Sequence, residues 1–292
     1  MTTRARTQTT RARARTTSAR ARLAVTLKYA SLAAGCLVAA VPLLVVFLAS
    51  LKSEDELYGE TPFAPPANWF NLDNYRTAFE EGQMVDAFVN TTIILVISLT
   101  GTVLIGSMAA YAVSRFDFRG RRLTMFLFLL AALVPGVTTQ VATFQVVTGL
   151  GLFNTRWAAI ALFMGTDIIS IYIFLQFLRG IPRSVDEAAM LDGATHWKIY
   201  RTIILPLLKP AIVTVVIVKG VAVYNEFYIP FLYMPSRDLG VVSTSLFRFQ
   251  GPTGTQWEVI SAGIVITVIP TLIVFLALQR YIYNGFTRGA TK

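Results

Sequence analysis

The chain has 292 residues, of which 54% are apolar and 14% are charged, and its formal net charge is +10. Soluble domains carry roughly 25% charged residues, so this chain has too few charges to cover the surface of an ordinary soluble protein, and its mean hydropathy of +0.59 also excludes a disordered protein. The single cysteine and the single histidine, Cys36 and His196, exclude an internal disulfide, a cysteine-built zinc or iron–sulfur site and a bis-histidine haem. The composition predicts an integral membrane protein.

Six apolar stretches are each long enough to cross a bilayer, which takes about 20 residues of helix. They cover residues 29–51, 88–114, 123–147, 157–178, 202–224 and 259–279. Several contain proline or glycine, which membrane helices tolerate because neighbouring helices satisfy the freed backbone groups. The prediction is an all-α integral membrane protein with six transmembrane helices.

The charges of the connecting segments predict the orientation. Residues 1–28 hold seven arginines, one lysine and no acid, whereas residues 52–87 hold eight acids and two basic residues. Basic segments stay on the cytoplasmic side of a membrane, so both ends of the chain are expected in the cytoplasm. The basic start is interpreted as a disordered tail, with an arm for nucleic acid or anionic lipid as the alternative, and no nucleic-acid partner is predicted.

The predicted organisation follows from these spans. It comprises a disordered cytoplasmic tail (1–28), a first transmembrane helix (29–51), an extracytoplasmic loop (52–87), a transmembrane core (88–281) that contains a cytoplasmic motif (183–206), and a cytoplasmic tail (282–292).

The loop between the fourth and fifth stretches predicts two short helices. Ser184 and Glu187 have the spacing of a capping box, which would start the first helix. Gly193 is placed to end that helix in a left-handed conformation, and Thr195 can cap the second one. The first helix combines small side chains with acidic ones, which favours a short protruding helix on which another protein docks. A helix that merely lies on the membrane is the alternative.

The same loop resembles a known motif. It reads Glu-Ala-Ala, three residues, Gly, nine residues, Ile, one residue, Leu-Pro, and this spacing is similar at every fixed position to the "EAA" motif of ABC-importer permease subunits. The surrounding chain resembles the second, six-span permease of the carbohydrate-uptake, maltose-type branch. The resemblance implies the type I ABC importer permease fold, with a cytoplasmic coupling helix at residues 187–193. The residues implied in coupling to an ATPase are Glu187, Ala188, Ala189, Asp192, Gly193, Ile203, Leu205 and Pro206.

The resemblance also implies the function. The chain would be a permease subunit of an ATP-driven importer for a di- or oligosaccharide in the cell membrane, working by alternating access. Its implied partners are a paired homologous permease, an ATPase dimer, an extracytoplasmic sugar-binding protein and the lipid bilayer. The chain has no Gly-x-x-x-x-Gly-Lys-Ser/Thr phosphate loop, so ATP and magnesium are expected in the separate ATPase. No catalytic residue, metal site or bound cofactor is predicted in this chain.

Two sets of residues are candidates for the substrate pathway. Asp167 and Lys219 lie inside predicted spans, where charges are costly and are functional candidates by default. They could form an ion pair, contact substrate or do neither. Tyr224, Asn225 and Glu226 end the fifth stretch on the outer side, where they suit either sugar hydroxyls or an ordinary interfacial cap.

Three other functions compete with this one. An ion-coupled secondary transporter needs a relay of intramembrane acids, and Asp167 is the sole acid inside the six stretches. A membrane-bound enzyme would need a cluster of His, Asp, Glu or Cys at one depth, and a structural subunit without cargo would have no use for the coupling motif.

Overall fold

The chain is described here from a computed structural model, which covers residues 3–59, 61–165, 167–251 and 254–290, and side chains between 24 and 277 of those ranges. The first helices are α1 (Thr3–Ser50), α2 (Glu54–Gly59), α3 (Asp73–Glu81), α4 (Met84–Arg115), α5 (Arg121–Leu133), α6 (Gln140–Gly149), α7 (Arg156–Met164) and α8 (Ile168–Arg179). They are followed by α9 (Ser184–Leu191), α10 (His196–Ile199), a π-helical turn (Tyr200–Ile204), α11 (Leu205–Leu207), α12 (Lys209–Asn225), α13 (Tyr228–Tyr233), a 3₁₀ turn (Arg237–Leu239), α14 (Val242–Ser245), a second 3₁₀ turn (Leu246–Phe249), the antiparallel pair β1 (Gln250–Gly251) and β2 (Gly254–Thr255), and α15 (Trp257–Ala290).

The predicted all-α membrane architecture is confirmed. Within the described ranges, four stretches are long and apolar enough to cross a membrane, namely Ala24–Ser50, Met84–Arg115, Arg156–Arg179 and Trp257–Ala277. The bent pair formed by His196–Leu207 and Lys209–Asn225 makes a fifth if it is counted as one span. The count of six stays a prediction.

The third predicted stretch is not one helix. Where the sequence predicts an uninterrupted span over 123–147, α5 ends at Leu133 and α6 begins at Gln140. Pro135 explains the break, because a proline pushes the preceding residue out of the helical region. Val134 accordingly has extended backbone angles, φ −78° and ψ 116°.

Both ends of the chain also differ from their predicted form. Residues 3–28, predicted as a disordered tail, continue α1, and residues 282–290 of the predicted C-terminal tail continue α15. The basic segment is rich in alanine and arginine, both strong helix formers, and it contains neither glycine nor proline. Residues 1, 2, 291 and 292 lie outside the described residues.

The fourth and fifth stretches are interrupted. The fourth breaks between α7 and α8, at Gly165 and Asp167. The fifth bends by 70° between α11 and α12, where Pro206 and Pro210 stand four residues apart. A proline removes a backbone donor and its ring clashes with the carbonyl four residues earlier, so this pair breaks the helix at Leu208.

Helix α4 is central to the packing, since it contacts α7, α8 and α12. At one end of the bundle, hereafter the α9 end, α8 and the segment from α10 to α12 share a core that includes the fully buried Phe174, Leu178, Ile199 and Ile204. Close approach is helped by Gly106 on α4, where an added Cβ would lie 3.4 Å from the Phe174 ring. Small residues allow helices to pack closely in membranes, where dispersion contacts replace the hydrophobic effect as the driving force.

Candidate functional site

Helix α9 presents two different faces. Asp186 and Ala189 are only 6% and 8% exposed and face the bundle, whereas Met190 is 43% and Leu191 90% exposed. Glu187 is also exposed. Residues three or four apart share one side of a helix. Asp186 and Ala189 therefore lie together on the inward side, and Glu187 and Leu191 lie together on the outward side. We call the exposed residues Glu187, Ala188, Met190, Leu191 and Asp192 the docking face.

The end of α9 has the predicted left-handed cap. Gly193 has φ +77°, its N–H donates to the Met190 carbonyl at 3.0 Å, and the Ala194 N–H donates to the Ala189 carbonyl at 3.0 Å. These two bonds satisfy carbonyls that the helix would otherwise leave open. The predicted cap of the following helix is also confirmed, because the Thr195 hydroxyl accepts the Lys198 N–H at 3.4 Å.

The predicted capping box at the start of α9 is wrong. Arg183 is the N-cap residue, it has helical angles, and no side chain caps the helix. The Glu187 N–H donates to the Arg183 carbonyl at 3.1 Å. Because the helical backbone begins one residue earlier than expected, Ser184 lies inside the first turn and does not serve as the cap.

Replacing Gly193 by alanine is expected to destabilise α9. The left-handed conformation costs a residue with a Cβ about 1–2 kcal/mol, and an added Cβ has no atom within 4 Å, so strain is the whole effect. We expect a lower thermal unfolding temperature for the purified protein in detergent. Gly35→Ala is the control, since Gly35 is helical with equally open surroundings. Equal unfolding temperatures for the two variants would contradict the strain argument.

The eight predicted coupling residues divide into two groups. Glu187, Ala188, Asp192 and Gly193 are exposed at α9, and Pro206 is exposed further along the chain. Ala189, expected to offer a small outer surface, is instead buried, and Ile203 and Leu205 pack against the core of the α9 end. The outward apolar pair Met190 and Leu191 was not predicted, although its helical spacing from Glu187 was a usable signal.

A buried ion pair holds α9 to α4 and had no local signal in the sequence. The Nε of Arg115, the last residue of α4, lies 3.1 Å from Oδ2 of Asp186, and each side chain is 8% exposed. In addition to this ion pair, the Arg115 Nη2 donates a hydrogen bond to the Ile181 carbonyl at 3.0 Å.

Asp167 and Lys219 lie together. The Lys219 Nζ is 3.6 Å from Oδ1 of Asp167, and the two side chains are 21% and 14% exposed, respectively. Asp167 stands in the break between α7 and α8, and its Oδ2 accepts the hydroxyl of Ser170. Of the readings left open by the sequence, the ion pair is the one that this geometry favours.

The other pathway candidates have partners within the chain. The Tyr224 hydroxyl donates to the Thr267 carbonyl of α15 at 2.9 Å, and the Asn225 side chain donates to the Val221 carbonyl at 2.9 Å. One Glu226 oxygen accepts the backbone N–H of Tyr228 at 2.9 Å. These bonds fix the end of α12 and the start of α13, and they leave the second oxygen of Glu226 for other contacts.

Comparison with known proteins identifies the family. Residues 102–288 match the family described as "Binding-protein-dependent transport system inner membrane component". The matched region includes the last 14 residues of α4 (102–115) and all of the loop that carries α9.

Named relatives cover most of the chain. The arabinooligosaccharides transport system permease protein AraQ of Halalkalibacterium halodurans is 31% identical over 87% of this chain and 92% of its own length. The trehalose/maltose transport system permease protein MalG of Thermococcus litoralis is 34% identical over 76% of this chain and 81% of its own. The crystal structure of a bacterial ABC transporter that imports the acidic polysaccharide alginate contains a chain of the same fold, with a TM-score of 0.76, 21% identity and coverage of 89% of this chain and 96% of that one.

These relatives are permeases, the non-catalytic transmembrane subunits of ABC transporters. The predicted kinship with carbohydrate-uptake permeases is confirmed, and so is the prediction that the chain is not an enzyme. It is a multi-pass membrane protein that belongs to the family of binding-protein-dependent transport system inner membrane components.

Proposed function

We propose that this chain is one permease subunit of an ATP-driven importer for a di- or oligosaccharide, and that a cytoplasmic ATPase dimer binds it at α9. The observation that carries the proposal is the docking face, where Leu191 is 90% exposed on a capped helix that also exposes Glu187 and Asp192. Both ends of the chain lie in the cytoplasm in this proposal, on the same side as α9.

The chemistry of the docking face indicates the kind of cleft that receives it. Full burial of a leucine side chain stabilises an assembly by about 1.5–3 kcal/mol, so the cleft is expected to be lined by apolar side chains where it contacts Leu191 and Met190. Glu187 and Asp192 call for basic or hydrogen-bond-donating groups at the rim, because complementary charges fix register. ATP and magnesium are used in the ATPase, and this chain binds no cofactor.

The interrupted helices support transport by alternating access. Alternating access is largely a rigid-body rocking of one part of the bundle against another around a fixed site. In this proposal, the break at Gly165 and the 70° bend near Leu208 are the hinges of that motion. A paired homologous permease supplies the other half of the pathway.

A sugar is the proposed cargo because the relatives AraQ and MalG are named for arabinooligosaccharides and for trehalose and maltose. An extracytoplasmic sugar-binding protein delivers it, in keeping with the family description. Glu226, Asn225 and Tyr224 at the end of α12 remain the proposed sugar contacts of this subunit, with Asp167 and Lys219 deeper in the bundle.

The alternative of an ion-coupled secondary transporter is set aside. The family couples transport to a binding protein, and Asp167, the acid on which that alternative rested, is in ion-pair contact with Lys219.

Crosslinking tests the proposed contact with an ATPase. Cys36 is the sole cysteine, so we would replace it by serine and introduce Leu191→Cys or, as a matched control, Ala189→Cys two residues earlier on the inward face. In membranes that contain the complete transporter, a short cysteine-reactive crosslinker is expected to join the Leu191→Cys chain to a nucleotide-binding protein, and to leave the Ala189→Cys chain free. Labelling of Leu191→Cys from the extracytoplasmic side, or no crosslink to any nucleotide-binding protein, would overturn the proposal.

A further inference from the structure

The contact between α9 and α4 is built from buried charges. The Arg115–Asp186 pair has a separation of 3.1 Å with both side chains 8% exposed, and the Tyr111 hydroxyl donates to the other Asp186 oxygen at 3.4 Å. The Arg115 guanidinium donates a hydrogen bond to the carbonyl of Ile181, which lies just before α9. Buried ion pairs usually add little stability over apolar side chains of the same shape, whereas breaking one leaves an uncompensated buried charge. Such a pair is therefore better suited to fixing a position than to stabilising the fold.

The connections of α9 along the chain indicate a role for its contact with α4. The chain joins α9 directly to α8 on one side and to α10 on the other, so both of those helices follow α9 through covalent continuity. Helix α4, the central helix of the bundle, has no such connection to α9. The buried side chains that join α9 directly to α4 are those of Arg115, Asp186 and Tyr111.

A neighbouring exposed pair shows the contrast. Arg183 at the start of α9 donates to the Ser114 carbonyl at 3.1 Å and lies 3.8 Å from Asp117, with side chains 52% and 76% exposed. Exposed pairs of this kind contribute about 0–1 kcal/mol and are screened by salt. The buried Arg115–Asp186 pair is the part of the contact that is shielded from solvent and salt.

We propose that Arg115 and Asp186 are positioning residues that link the docking helix α9 to the central helix α4, so that ATPase movement reaches α4 together with α8 and α10. The inference rests on the proposed function, since it presumes that an ATPase moves α9. It goes further by assigning the transmission of that movement to one side-chain contact.

The test separates linkage from stability by removing both charges at once. Arg115→Gln with Asp186→Asn keeps side chains of similar size and leaves no unpaired charge, so we expect normal amounts of inserted permease and normal co-purification of the ATPase. In liposomes that contain the complete transporter, sugar taken up per ATP hydrolysed is expected to fall about tenfold, within the range of coupling energies between sites. Tyr111→Phe, which removes only the hydroxyl, is expected to lower the same ratio by a smaller factor.

The control is Arg183→Gln with Asp117→Asn, which removes the exposed pair and is expected to leave the ratio unchanged. A purely structural role predicts that the buried double variant, once inserted, transports as much sugar per ATP as the unmodified protein, and that result would overturn the linkage. If the double variant fails to insert, an unchanged ratio for Tyr111→Phe would overturn it, and a lowered ratio would support it. Failure of the unmodified permease to co-purify with an ATPase would instead refute the proposed function, and the linkage with it.

Discussion

Replacing Leu191 by aspartate is expected to reduce sugar uptake about a hundredfold, because it deletes about 1.5–3 kcal/mol of apolar burial in the ATPase cleft and adds a carboxylate that must be desolvated there. The side chain is 90% exposed in the permease itself, so the folding of this chain should be unaffected. Uptake of labelled sugar by cells, normalised to the amount of permease in the membrane, measures the effect.

A conservative change at the same position is the matched control for Leu191→Asp. Leu191→Met keeps an apolar side chain of similar volume and is expected to transport at a rate close to that of the unmodified protein. Glu187→Lys reverses a charge on the same docking face and is expected to uncouple transport while the permease remains inserted. Full uptake by both Leu191→Asp and Glu187→Lys would show that transport does not depend on an ATPase bound to α9.

Local chemistry explains which parts of the site could be predicted from the sequence. The cap at Gly193 depends on a few neighbouring residues, since a glycine just after a short helical segment favours the left-handed conformation, and the structure has φ +77° there. The start of α9 was wrong by one residue, because the backbone is already helical at Arg183 and Ser184 therefore does not form the predicted capping box. Likewise, Pro135 was visible in the sequence, but prolines are tolerated inside membrane helices, so the break between α5 and α6 was not expected.

Contacts between distant parts of the chain could not be predicted in the same way. By local pattern alone, Arg115 is a basic residue at the end of a span, and Asp186 is an acid in the first turn of a helix, where the helix dipole favours negative charge. Their pairing depends on how α4 packs against α9, which no local pattern encodes. The outer candidates show the same limit, because the hydrogen bond from the Tyr224 hydroxyl to the Thr267 carbonyl joins two helices that are distant in the sequence.

Neutralising Asp167 alone is expected to impair the permease more than neutralising it together with Lys219. Asp167→Asn leaves the ammonium of Lys219, which is 21% exposed, without its carboxylate 3.6 Å away. An unpaired charge at the centre of a membrane helix costs on the order of 3 kcal/mol, so we expect the amount of folded permease to fall about tenfold or more. The Lys219→Met single variant should be similarly impaired, because it leaves the Asp167 carboxylate unpaired. The double variant Asp167→Asn with Lys219→Met removes both charges and should recover most of the folded protein, as measured by fluorescence-detected size exclusion of detergent extracts.

Uptake by the double variant then separates the two roles that the sequence left open for this pair. If the charges serve only to hold the broken fourth stretch against α12, a double variant that folds should also transport, whereas a substrate contact predicts folded permease with low uptake. Lys209→Met on the same helix is the control, because Lys209 is exposed at the start of α12 and its ammonium can reach the membrane interface. Lys209→Met is expected to change neither the amount of folded permease nor the uptake of sugar. Equal amounts of folded protein in the singles and the double would show that the ion pair does not stabilise the bundle, because pairing requires the second neutralisation to offset the cost of the first.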